Sequence, residues 1–328
     1  MMRTLVNLKL VGAFALMLSA CGPVTLTIGG NGGGTTSGGG LFASNGAAVT
    51  RALAPTPRGY ERLFSPHEHA FRLSRYKEPV RRGIVSERFE LRDGDCGGSD
   101  CQNPRYRSEI RMLGDLAKAK VGKSIWYGWS FYNQNIGSFT PEDTLRLVVG
   151  QWKMGGDSPA IFRFIQQGKG EGNWENCDPR LCHRTKDKSM DVVVQLDDLN
   201  QANNWGYAQN FGHICKLWSM SANKGKWVDV TVNTNFSPRA NGFLRIWVNG
   251  ELRCDYRGPL LSTKTARLGK YPSHRRGLFA AFTERWDETH PGKKKPTMIA
   301  YYDEFVAGHS REAVDVYLRE TIGVRAKD

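Results

Sequence analysis

The residues best suited to chemistry in this chain are three charged side chains in Arg105-Tyr106-Arg107-Ser108-Glu109-Ile110-Arg111. Alternate side chains of a strand face opposite ways. As a strand, the stretch puts Arg107, Glu109 and Arg111 on one face and Ser108, Ile110 and Met112 on the other. The second face suits a core. The first is two guanidiniums around one carboxylate. Each guanidinium can grip a carboxylate or sulfate through two hydrogen bonds, and Glu109 can hold the forks in place. Such a row on an open sheet face fits a polyanionic ligand. A solvated face with a salt bridge between neighbours is the plainer alternative.

Whole-chain charge points the same way. The 328 residues carry a net charge of +14. Without residues 1–20, which hold Arg3, Lys9 and no acid, 44 basic residues face 32 acidic ones, leaving +12. That balance favours acidic partners. No zinc-finger spacing and no RNP-type aromatic motif is present, so nucleic acid is not expected as a partner. The basic run Lys293-Lys294-Lys295 lies between Pro291 and Pro296 and reads as a solvated loop.

Arg3 and Lys9 accompany a short apolar run, Leu10 to Leu18, too short to span a membrane as a helix. Leu18-Ser19-Ala20-Cys21 follows and matches the bacterial lipobox. Residues 1–20 are therefore expected to be a signal peptide and Cys21 to carry a lipid anchor. Gly22 in place of Asp favours the outer membrane. Residues 21–58, rich in Gly, Ser and Thr, read as a flexible tether, with one domain over 59–328. Six cysteines remain. Cys96/Cys101 and Cys177/Cys182 share one spacing, and Cys215 and Cys254 pair by elimination. An even set in an exported protein argues for disulfides over metal ligands.

The elements that must position these groups are mostly strands. Alternating runs occur at 89–91, 106–112, 125–132, 144–153, 160–166, 190–196, 227–233, 243–248, 278–282 and 298–307. Helical periods are scarce: 113–120, 196–202 and 311–319. Asn249-Gly250 is a hairpin turn. The expected fold is all-β, a β-sandwich of jelly-roll type. Most of the nine Trp are expected in its core.

Several of these segments together resemble the bacterial polysaccharide lyases related to heparin lyase I and glucuronan lyase. They are Arg107-Ser108-Glu109-Ile110-Arg111, Trp126 to Phe131, Gly150-Gln151-Trp152-Lys153, Gly225 to Asp229, Gly242 to Gly250 and Tyr301 to Phe305. The likeness spans residues 85–308. It implies a jelly roll whose concave sheet binds an acidic polysaccharide or oligosaccharide. Two departures stand out. Lys153 occupies the place of a histidine in that group, and Glu284 stands where a catalytic tyrosine would precede Arg285.

The resemblance implies β-elimination on a uronate. The carboxylate beside C5 must be neutralised, a base must take the C5 proton, and an acid must protonate the leaving O4. Arg107 and Gln151 are the candidates for neutralisation. Lys153, on the face of Gln151 and crowded by arginines, is the candidate base or, equally, a substrate-binding cation. His183, beside Cys182, and Tyr207 are further catalytic candidates from loops. Glu109, Arg111, His213, Arg285 and Trp286 are candidates for substrate binding. No metal ligand set is expected, although Asp303 is a candidate for a structural calcium. The chain is expected to act as a monomer. A non-catalytic polyanion-binding surface lipoprotein is the alternative. A retaining glucanase lacks its two carboxylates on one strand face, and a purely structural envelope protein leaves the Arg-Glu-Arg face without use.

Overall fold

The same two-residue alternation recurs along the chain and makes fourteen strands among the described residues of the computed structural model. The structure describes residues 56–327 apart from 114–115, 117–118, 139–144 and 167–188. In order they are β1 (Tyr60–Phe64), β2 (Phe71–Leu73), β3 (Glu87–Leu91), β4 (Arg105–Met112), β5 (Ile125–Asn133), β6 (Arg146–Lys153) and β7 (Ala160–Gln166). Then come β8 (Val192–Gln195), β9 (His213–Trp218), β10 (Trp227–Thr234), β11 (Phe243–Val248), β12 (Glu251–Arg257), β13 (Ser273–Ala281) and β14 (Met298–Gly308). They form two seven-stranded sheets, β1-β4-β13-β6-β7-β8-β9 and β12-β11-β10-β5-β14-β3-β2. Neighbouring strands run antiparallel throughout. The chain is an all-β sandwich of jelly-roll type, and all described residues fall in one unit, Thr50–Asp328.

The two sheets meet over an aromatic core. Trp129, Trp152, Tyr127, Phe162, Phe164 and Phe236 are buried there, edge to face, tilted or stacked with ring centroids within 6.4 Å. Rings of this size each take roughly 150–250 Å² out of water, an upper bound of about 4–6 kcal/mol apiece. His274 of β13 lies in the same layer, 4.5 Å from the Phe305 ring and 4.7 Å from Trp152, with no partner for either nitrogen. Cys96–Cys101 and Cys215–Cys254 are disulfides, as expected. Cys177 and Cys182 lie outside the described residues, as do Cys21 and the signal and tether as far as residue 55.

Several expectations need correction. The late strand starts at Ser273, five residues before Leu278. Arg275 and Arg276 hide that start in the sequence; Arg276 is buried in an ion pair with Glu87, and Arg275 is paired across the sheet through its backbone. Phe282 takes a left-handed conformation (φ 60°) and opens a helix, Thr283–Thr289, so Glu284, Arg285 and Trp286 are helical. The helix expected over 311–319 is Val316–Thr321, begun by the Asp315 carboxylate accepting from Leu318 N–H. Leu113, Leu116, Ala119 and Lys120 are not helical. Lys295 is not solvated: it is buried against Asp287 (2.6 Å) and Asp93 (3.4 Å).

Two of the bulges in the sheet that carries Arg107 shape its central strands. Between Gln151 and Val148 of β6, strand β13 runs from Arg275 to Phe279, one residue more. Against β7, β6 in turn has an extra residue between Val148 and Gly150. Strict alternation would send Val148 and Gln151 to opposite faces; the bulge returns both to one face. Gly277 makes the β13 bulge possible. Its φ is 122°, and a Cβ there would sit 2.2 Å from the Ser108 carbonyl oxygen. Tyr302 Oη, reaching across from β14, lies 2.7 Å from the Val149 carbonyl and 2.9 Å from that of Gly277, tying the two bulges together.

Candidate active site

On β4 the alternation holds: Ser108, Ile110 and Met112 are buried in the core, and Arg107, Glu109 and Arg111 turn the other way. Glu109 is nevertheless fully buried. Its carboxylate accepts from Arg107 Nη1 (2.8 Å) and from Gln151 Nε2 (2.7 Å). It is thus a positioning group beneath the site rather than the substrate-binding residue expected. Arg107 is clamped a second time. Asp100 takes Nε (2.6 Å) and Nη2 (3.1 Å). Asp100 sits in the one-turn helix Ser99–Gln102 inside the Cys96–Cys101 loop, so that disulfide places the clamp. The guanidinium also lies 4.1 Å over the Phe279 ring. Burial would lower its pKa, but Glu109 and Asp100 together raise it. Most of its hydrogen-bonding capacity is spent on these two carboxylates.

The antiparallel register lays out a file of polar side chains across six strands: Arg111, Arg275, Gln151, Arg163, Gln195 and His213. Arg111 leaves the site at one end by pairing with Glu61 of β1, and does not line the cleft described next. At the centre, Gln151 and Lys153 line a cleft of about 230 Å³ with Arg105, Arg107, Arg146, Arg163 and Arg275. Asp157 and Asp197 are its acids. Asp197 is already engaged by Arg163 (2.6 Å), whose Nε donates to Gln195. Arg275, which the sequence reading missed, pairs with no carboxylate among the described residues, and its Nε has no partner. Burial lowers its pKa, partly opposed by Glu109. The signal was present in the alternation Ser273, Arg275, Gly277, Phe279, had the strand been started five residues earlier.

Lys153 has the perturbation expected of it. Burial first, then the charges of Arg275 and Arg107, push its ammonium down to about 8. At that value it is a usable proton acceptor near neutrality.

The other expected residues are scattered. His213 closes the file in an adjoining cavity of about 310 Å³, and burial with Arg163 and Arg146 pushes it down to about 3. It is therefore neutral at ordinary pH and lies apart from Lys153. Arg285 lines that second cavity from the helix after β13. Trp286 lines neither cavity; it stacks on His290 at 3.9 Å and donates to the Lys293 carbonyl. Glu284, standing at the tyrosine position, does not line the cleft either. Tyr207 begins a 3-10 turn, Tyr207–Gly212, and its side chain lies outside the described residues, as does His183 altogether. Asp303, the calcium candidate, is engaged by the backbone. Its oxygens accept three backbone N–H groups, from Arg81 (2.7 Å), Arg82 (3.2 Å) and Glu304 (2.7 Å). Among the described residues no cluster of His, Cys, Asp or Glu has the makings of a metal site.

A sandwich of two seven-stranded sheets, with a cationic cleft on one of them, has a known counterpart. The polysaccharide lyase family model matches residues 58–306. The chain belongs to the polysaccharide lyase family, and the reading of it as a lyase stands. No curated protein matches it. Among solved structures it is similar to an endo-β-1,4-glucuronan lyase from the fungus Trichoderma reesei (TM-score 0.44, 18% identity, 76% of this chain and 91% of that one). It is also similar to the alginate lyase AlgAT5 of polysaccharide lyase family 7 (0.43, 13%, 77% and 94%). An alginate lyase from Corynebacterium sp. matches as well (0.41, 11%, 69% and 77%).

Proposed function

We propose that this protein cleaves an acidic, uronate-containing polysaccharide by β-elimination. The observation that carries the reading is the cleft centre, where Arg275 and Lys153 flank Gln151 with no carboxylate paired to either cation among the described residues. A buried guanidinium such as that of Arg275, left without a paired carboxylate, is costly, and a substrate carboxylate offsets that cost. Arg275 and the free N–H of Gln151 bind the uronate carboxylate and stabilise the enolate-like charge that develops on it. Arg107 supports this less directly, since Asp100 and Glu109 hold it, and Glu109 in turn orients Gln151. Neutral Lys153 takes the C5 proton. The C4–O4 bond breaks, the C4=C5 double bond forms, and the proton returns from the Lys153 ammonium to O4. No water or cofactor is consumed.

Within the family we place the chain, on the motifs from Arg107 to Phe305, with bacterial enzymes of the heparin lyase I and glucuronan lyase kind. We also propose that Cys21 is lipidated and that residues 21–58 tether a monomeric domain to the outer membrane; intact-mass analysis of the mature N-terminus tests this. The activity test is a panel of glucuronan, alginate, heparin-like and ulvan-like polymers, read by the ultraviolet absorbance of the new double bond. One member of the panel should give product. Tight binding across the panel without double-bond product at any pH would replace this reading with the non-catalytic one. That alternative has one observation in its favour: among the described side chains, no tyrosine or histidine lines the cleft.

A further inference from the structure

We propose that Arg146 and Arg285, sharing the ring of Phe282, form a second oxyanion subsite that takes an anionic group on another sugar of the bound chain. The proposal rests on the function proposed above and adds to it a requirement for a second charge. The two guanidinium carbons lie 4.4 and 4.1 Å from the Phe282 ring centroid. One aromatic face system thus gathers two like charges, which repel unless an anion joins them. No carboxylate pairs with either arginine among the described residues, and no acid lines their 310 Å³ cavity. Arg146 Nε is buried without a partner. Burial and the neighbouring Arg163 push Arg146 down to about 9. Phe282 itself holds a left-handed backbone (φ 60°), uncommon for a bulky residue, at the turn from β13 into the helix that carries Arg285.

The placement fits one polymer reaching both sites. Arg146 lines the cleft as well as the second cavity, so the two adjoin at this side chain. Arg146 begins β6 and Gln151 lies five residues along it, about 16 Å away on an extended strand. A single sugar does not span that length; an oligosaccharide does. Phe279 borders the cleft and Ile165 borders the second cavity, giving apolar surface between the two charges. The shared chemistry is an oxyanion, either the carboxylate of another uronate or a sulfate ester.

The test uses size-fractionated oligouronates, unsulfated and sulfated, against the wild type, Arg285→Gln, Arg146→Gln and the control Arg257→Gln on the opposite sheet. Binding is measured by calorimetry, and KM wherever product forms. For the wild type, affinity should step up once the oligomer spans both sites. Arg285→Gln and Arg146→Gln should lose that step, with Kd and KM on long substrates raised about tenfold and salt dependence weakened; because Arg285 does not line the cleft, Arg285→Gln should bind the shortest oligomers as before. Arg257→Gln should keep the step. A step with unsulfated oligomers assigns the second group as a uronate carboxylate; a step with sulfated ones alone assigns a sulfate. Arg285 is exposed, so Arg285→Gln decides the matter even if Arg146→Gln fails to fold. Wild-type length dependence in Arg285→Gln on both series would overturn the subsite. If the wild type yields no double bond but the variants lose the step, the lyase reading falls and the subsite stands.

Discussion

Lys153 is the residue on which the proposed chemistry turns, and its proton gives that chemistry a pH signature. Burial and the charges of Arg275 and Arg107 bring the ammonium to about 8. With that value it is neutral in about a tenth of molecules at pH 7 and about a hundredth at pH 6. The logarithm of kcat/KM should therefore climb with unit slope from pH 6, by about 50-fold to pH 8, and then level. The bound substrate carboxylate beside Lys153 favours its charged form, so the kcat profile should bend at a higher pH than kcat/KM does. Lys153→Met should lower kcat by roughly 10²–10⁴-fold rather than chiefly raise KM. Stability gives an independent check. The folded-state pKa lies below the unfolded value, so charging Lys153 is a penalty present in full below pH 8 and relieved as pH rises towards 10.5. Lys153→Met should thus stabilise the fold at pH 7, by about 1–2 kcal/mol once the solvent screening of this half-buried group is allowed for. Initial rates from pH 5.5 to 9.5 and urea melts at pH 7 supply both readings. A flat kcat/KM between pH 6 and 8, together with near wild-type kcat in Lys153→Met, would remove Lys153 as the base.

Arg107→Ala should act first on stability, costing about 3–5 kcal/mol by urea denaturation, because it strands the fully buried Glu109 carboxylate. His274→Phe should raise the thermal midpoint, and by more at pH 5 than at pH 8. Burial, helped by Arg276, holds the His274 pKa well below 6.5, so the unfolded chain gains a proton below about pH 6.5 that the folded protein refuses, and wild-type stability is lost as pH falls. Breaking Cys215–Cys254, which closes a 39-residue separation, should cost about 4 kcal/mol by the loop-closure relation, against about 2 kcal/mol for Cys96–Cys101. Paired Cys→Ser variants in urea melts measure both, and a larger loss from the short loop would contradict that ordering.

Much of this protein was legible along the chain because a strand has a fixed two-residue period. Arg107, Glu109 and Arg111 opposite Ser108, Ile110 and Met112, the Asn249-Gly250 turn, the all-β class and the Cys96–Cys101 disulfide all follow from local pattern, and Cys215–Cys254 from elimination. So does the low pKa of Lys153, once a second arginine-bearing strand is assumed beside it. Only tertiary structure decided what each charge does. Register put Arg275 opposite Gln151, and no local signal reports a partner that is more than a hundred residues away. The bulges at Gly150 and Gly277 broke the alternation that the sequence reading relies on, and they brought Val148 and Gln151 to one face. Burial turned Glu109 from a ligand contact into a support and made His213 a neutral group. Asp100, a loop residue with no periodic signature, joined Glu109 in taking most of Arg107's hydrogen-bonding capacity. Periodicity sets which face a side chain takes; pairing across strands and the depth of burial set whether its charge is spent inside the protein or left for a substrate.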